Sequence, residues 1–262
     1  SRLLGERRGQ YGRYRVMGSF GFILASLTAG YLYEITGLIW IFYIYAAIMA
    51  LMLLFAFGLP GQPVRLAGGS VWRGLGQMIR QPAWVLFAAA SILLWMANVG
   101  TMNFLGITIE DLGGAKRLIG LASMSAALTE IPILYTSERL LARFGPVRLQ
   151  VAAFAAFIIR GALLAVMPSA GWAVPISALG GMAFALYWIS AVAYANESAP
   201  EHLKSTAQAL LFSLLNLAGM AGSLVTGWLY DHTGYSGLFW ATSGFAALGL
   251  GVLAAGRLRR KE

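Results

Sequence analysis

The sequence predicts an all-α integral membrane protein that crosses the bilayer eight times. Three observations carry this reading. Of 262 residues, 59% are hydrophobic and only 11% charged, whereas a soluble domain has roughly 45–50% apolar and about 25% charged residues. The apolar residues fall in runs that match the ~20 residues of helix a hydrocarbon core requires. These runs are rich in Leu and Ala and lack period-two alternation, so helix is preferred to strand.

The spans follow one another between turn signals. Val16–Tyr33 opens behind Arg13 and Arg15, and Ile39–Leu59 ends at Leu59-Pro60-Gly61. Trp84–Ile107 and Ile119–Thr136 are separated by Gly113-Gly114. Leu149–Met167 follows Phe144-Gly145-Pro146, and Pro168 to Gly171 divides it from Val174–Tyr194. Ala207–Leu229 and Leu238–Ala255 flank Thr233-Gly234.

A net charge of +9 would point to nucleic acid in a soluble protein. On this layout it reads as topology instead. Sixteen of the 19 basic residues fall in one set of loops, among them Arg65, Arg73, Arg80, Lys204 and the tail from Arg257 to Lys261. Only Lys116 and Arg117 fall in the opposite set, and Arg160 lies inside a span. Such a bias places both ends of the chain in the cytoplasm. The expected location is the plasma or inner membrane, with no nucleic-acid partner. The chain has no cysteine, and His202 and His232 stand alone in predicted loops, so no metal site is expected. No phosphate-cradling loop or Ser-His-Asp set is present either. The chain is read as no enzyme and as needing no cofactor.

An internal repeat organises the spans. Ala29-Gly-Tyr-Leu-Tyr-Glu-Ile-Thr-Gly37 reappears as Thr226-Gly-Trp-Leu-Tyr-Asp-His-Thr-Gly234. The same ungapped shift pairs Ser26 with Ser223, Phe42 with Phe239 and Leu51 with Leu248. The last two spans therefore repeat the first two, and the repeating unit has six helices. Two six-helix halves, twelve spans in all, form a known transporter plan. Residues 1–59 are then the last two helices of the first half. Residues 60–83 are the cytoplasmic linker, 84–256 the complete second half and 257–262 a basic tail. Four further helices are expected to precede Ser1.

Three stretches carry a family resemblance. Tyr11-Gly-Arg-Tyr-Arg-Val-Met-Gly-Ser-Phe-Gly-Phe22 resembles the fifth-helix signature of the lactose-permease-like branch of the major facilitator superfamily. Glu138-Arg-Leu-Leu-Ala-Arg-Phe-Gly-Pro-Val-Arg148 is similar to the superfamily's cytoplasmic basic-glycine motif. The run from Ala195 to Gln208 resembles its loop from helix ten into helix eleven. The resemblance implies a carrier whose halves open alternately around a central cavity, here the C-terminal two-thirds of a twelve-helix fold. It implies a sugar contact for Arg15 and a part in proton coupling for Arg160. The branch's helix-ten His and Glu fall near Gly180 and Ala183, and its helix-eight glutamate falls at Ala127. This departure counts against lactose-type coupling and galactoside specificity. Glu130 instead resembles the helix-eight glutamate of the phenylpropionate-transporter-like group.

A charge at mid-bilayer costs at least ~2.5–3.5 kcal/mol, so it is expected to face a partner or water. Glu130 and Arg160 each lie eleven residues into their spans, near mid-depth on consecutive antiparallel helices. Glu130 is read as the proton-carrying acid and Arg160 as the group that biases it. A guanidinium nearby favours the carboxylate, and desolvation favours the neutral acid. The alternative is a static pair holding two helices together. Arg15 is either a snorkelling anchor or a substrate contact. Asn98, Trp188 and Asn216 are candidate substrate contacts. The polar, small face Asn216, Gly219 and Ser223 could equally serve packing. Trp95, Tyr187, Trp188 and Tyr194 could stack on a ring or belong to the lipid-facing belt. Glu138, Arg139, Arg143, Gly145 and Arg148 form a candidate cytoplasmic gate by analogy.

The expected function is secondary active transport of a small organic solute, by proton-coupled symport. Two alternatives stay open: a proton-coupled efflux antiporter, and a sensor or scaffold that moves nothing. The expected partners are the lipid bilayer, solute, protons and the four preceding helices, in a monomer.

Overall fold

The structure is a computed structural model that describes residues 40–58, 76, 78–199 and 203–258, with Gly18 and Gly21. Its helices are α1 (Trp40–Phe57), α2 (Pro82–Asp111), α3 (Arg117–Tyr135), α4 (Ser137–Ala165), α5 (Ala173–Ser198) and α6 (Lys204–Leu258). A short 3-10 turn, Ala170–Trp172, leads into α5. Helices α2 to α6 are long and apolar enough to cross a membrane. From Ile39–Leu59 onward, every predicted span has a helical counterpart. Val16–Tyr33 apart from Gly18 and Gly21, the first repeat copy at 29–37 and most of the 60–83 linker lie outside the described residues.

Two glycines break helices where the sequence places turns. Gly145 has φ 72° and divides α4 into 137–144 and 146–165. Gly234 has φ 66° and divides α6 into two helical segments, 204–233 and 235–258. An L side chain is strained at such φ values and glycine is not, which is why these positions carry it. Pro146 then starts the second segment of α4, where its missing N–H leaves no bond unmade. The C-terminal end of α2 closes in the same way. Gly113 has φ 72°, and the Gly114 amide returns to the Ile109 carbonyl at 2.8 Å, a left-handed helix stop. One difference from the sequence reading is that the predicted loop ahead of Leu149 is itself helical over 137–144. Its charges hid it from a hydropathy criterion.

Helix α2 packs along α6, α5 packs along both α3 and α4, and α4 also packs on α6. Successive in the chain, α3 and α4 nevertheless meet little, with α5 packed along each. Helix α1 makes no extensive contact with the other described helices, and its large side chains are exposed. Apolar burial alone does not drive helices together in lipid; close packing of small residues and interhelical hydrogen bonds do. Both are present. Ser125 Oγ donates to the Val174 carbonyl at 2.7 Å, and Thr129 Oγ1 to the Ala178 carbonyl at 2.6 Å, tying α3 to α5. Ser243 Oγ donates to the Ile158 carbonyl at 2.7 Å, tying α6 to α4. Trp84, Phe87, Leu94, Phe154, Tyr187 and Leu211 fill the core between these contacts.

Candidate functional site

Glu130 stands five residues before the end of α3, half-buried and with an interaction partner. Arg160 stands five residues before the end of α4 and is 7% exposed. Its guanidinium lies on Gly180 of α5, where an added Cβ would come within 2.6 Å of both Cζ and Nε. The Nε atom is buried and has no hydrogen-bond partner. Among the described residues Arg160 forms no ion pair. Consecutive order thus brings the acid and the guanidinium to one level without setting their helices side by side. Both helices pack instead on the same stretch of α5.

The second feature is aromatic. Trp188 of α5 stacks on Phe212 of α6, with ring centroids 5.2 Å apart and planes at 15°. It also stacks on Phe184 at 5.7 Å, and Trp95 of α2 lies 6.4 Å away, tilted by 40°. Three helices therefore contribute to one aromatic floor. Trp95 and Trp188 are half-buried, whereas Tyr187 is fully buried and Tyr194 packs at 4.5 Å on Phe87. Of the four aromatic candidates in the sequence, only the two tryptophans can meet a solute in this conformation. The Trp188 indole N–H is buried without a partner.

A polar strip runs beside this floor. Asn216, one turn after Phe212, is exposed. Gly219 lies under the Trp95 indole, and the Ser223 hydroxyl accepts from Asn103 Nδ2 at 3.1 Å. Asn98 behaves differently. It is 3% exposed, and its Nδ2 reaches only Met102 Sδ at 3.6 Å. That places Asn98 in the packed interior of α2, off the open strip. Arg15 lies outside the described residues.

At the other end of α4, Glu138, Arg139, Arg143 and Arg148 are exposed around the Gly145 break. The Arg143 guanidinium sits 5.3 Å from the Phe144 ring centre. Glu138 makes no ion pair with these arginines. Three residues escaped the sequence reading. Phe184 and Phe212 look like any lipid-facing aromatics in an apolar run, and no sequence signal marks them. Gln150, fully buried with neither amide atom bonded, was visible as an amide one turn inside the span after Pro146.

Helices of this length and apolarity make the chain a multi-pass membrane protein. Residues 2–241 match the MFS_1 like family, and the chain belongs to that family. It is 30% identical over 228 residues to the maltose permease of Geobacillus stearothermophilus, a match covering 87% of this chain and 58% of the permease. It is 21% identical over 232 residues to the uncharacterized transporter YwbF of Bacillus subtilis (strain 168), covering 87% of this chain and 57% of that protein. The chain thus spans less than three-fifths of the length of these relatives. In fold it is similar to the crystal structure of the nucleoside transporter NupG, with a TM-score of 0.71 and 21% identity. That likeness covers 95% of this chain and 67% of NupG. All three are named as permeases or transporters, in accord with a sequence that carries no catalytic motif.

Proposed function

We propose that this chain is the larger part of a secondary active transporter, moving a small organic solute by alternating access with proton symport. In this reading residues 84–256 are one half of a twelve-span carrier, and 60–83 join it to the other half. The protein works as a monomer in the plasma or inner membrane, with both ends of this chain in the cytoplasm. A proton gradient, with no bound cofactor, supplies the energy.

The observation that supports the solute side is the floor of Trp95, Phe184, Trp188 and Phe212 beside the exposed Asn216. A ring-bearing, hydroxylated solute has an apolar face to stack on an indole and a polar edge for an amide that both donates and accepts. The sugar in the name of the 30% identical permease has this chemistry. Arg15 is assigned to the same path, approaching from the other half. On the coupling side, Glu130 carries the proton, and the fixed charge of Arg160 biases its release. The basic turn around Gly145, with Glu138, Arg139, Arg143 and Arg148, closes the cytoplasmic mouth in one state.

Counterflow of labelled maltose and a labelled nucleoside in proteoliposomes, with and without an acid exterior, tests this reading in the full-length transporter. Symport gives accumulation only with the gradient, and Glu130→Gln removes accumulation while counterflow persists. Gradient-driven exit would mean an antiporter. No counterflow of either probe would remove sugars and nucleosides as the solute, no counterflow of any labelled small solute would mean a non-transporting protein, and undiminished accumulation in Glu130→Gln would remove the coupling role.

A further inference from the structure

Helix α5 carries adjacent glycines that face opposite neighbours. On one side, a Cβ at Gly181 would lie 1.9 Å from the Ala126 carbonyl oxygen of α3. On the other, a Cβ at Gly180 would lie 2.6 Å from Arg160 Cζ and Nε and 3.1 Å from its Cδ. The first obstacle is backbone. The second is made only of side-chain atoms. Thr129, next to Glu130 in the chain, donates to the Ala178 carbonyl of the same stretch at 2.6 Å. Residues 178–181 of α5 therefore hold the turn bearing Glu130 on one face and the guanidinium of Arg160 on the other.

We propose that Gly180 is a positioning residue for coupling: its missing side chain seats the Arg160 guanidinium against α5, level with the turn that bears Glu130. This rests on the reading of Glu130 and Arg160 as coupling groups. Arg160 is buried, and no acceptor bonds its Nε, so shape, not hydrogen bonding, fixes this part of the guanidinium. One methyl group is then enough to displace the charge. The displacement breaks no hydrogen bond at Nε, and a flexible side chain can yield without moving a helix. Gly180→Ala should accordingly fold, and its effect should appear in coupling.

The test uses the full-length transporter in proteoliposomes, with labelled maltose and a labelled nucleoside as probes. Gly180→Ala is expected to lower proton-driven accumulation at least tenfold and to shift its pH profile, while counterflow stays within twofold of wild type. Accumulation with an unchanged pH profile overturns the inference and leaves the proposed function standing. So does a parallel loss of counterflow and accumulation, which marks a purely structural defect. A wild type without proton-driven accumulation removes the coupling reading, and this inference with it. A second measurement does not depend on transport. The thermal destabilisation caused by Gly180→Ala should vanish in an Arg160→Ala background, because all three of the nearest atoms belong to Arg160. Equal destabilisation in both backgrounds, or loss of folding in both, overturns the seat. Folding lost with arginine at 160 but recovered in Arg160→Ala supports it.

Discussion

Replacing Gly181 by alanine probes the closest approach made at any glycine among the described residues. The added Cβ would sit 1.9 Å from the Ala126 carbonyl oxygen and 2.6 Å from Thr129 Oγ1. Ordinary contact begins near 3.4 Å, so α3 must retreat by about 1.5 Å. That retreat stretches the Thr129–Ala178 bond from 2.6 Å and the Ser125–Val174 bond from 2.7 Å, beyond hydrogen-bonding range. Overpacking costs roughly 1–3 kcal/mol, and each lost interhelical bond about 0.6 kcal/mol. The sum is ~2–4 kcal/mol, which at about 2–4 °C per kcal/mol lowers Tm by roughly 5–15 °C. The chain's 8 tryptophans report unfolding of detergent-solubilised protein by intrinsic fluorescence. Gly244→Ala serves as control, since a Cβ there meets nothing within 4 Å. A Gly181→Ala Tm within about 2 °C of wild type would refute the packing argument, because no such contact could absorb a methyl group so cheaply.

Two further outcomes follow from the site. Trp188→Ala removes the indole face that the proposed solute would stack on; at ~0.5–1.5 kcal/mol for such a pair plus lost area, half-saturation in counterflow should rise about tenfold, with Trp188→Phe restoring most of it. The Asn103–Ser223 bond at 3.1 Å should give a coupling of about 0.6 kcal/mol in a double-mutant cycle of thermal unfolding, and additive single substitutions would show that the bond does not join α2 to α6.

The parts of this fold that the sequence revealed are those with a local cause. Apolar run length sets the spans, and Gly145-Pro146 and Gly234 mark breaks because their backbone demands glycine. Tertiary neighbours have no such local signature. Glu130 and Arg160 fall at matched depth on consecutive helices, which invites a direct pair, yet α5 packs along both helices and takes the guanidinium on Gly180. Hydropathy scores a glycine, an alanine and a lipid-facing leucine on one axis, so it cannot tell which small residue is a seat. The same blindness hid Phe184 and Phe212. Their value lies in stacking on Trp188 from two helices, and spacing along either helix alone does not express it. Asn98 shows the converse. A polar residue in a span invites a functional reading, but this one is spent in the interior of α2 against Met102.

The central claim is that a solute passes along the face where Asn216 stands open beside the aromatic floor. The chain contains no cysteine, so Asn216→Cys in the full-length transporter gives a single reporter here, once any cysteines elsewhere are removed. A membrane-impermeant maleimide should label it in sealed vesicles, and saturating transported solute should slow that labelling at least several-fold. Labelling only after denaturation, or at a rate indifferent to every solute that shows counterflow, would place Asn216 in lipid or in packing and contradict the account.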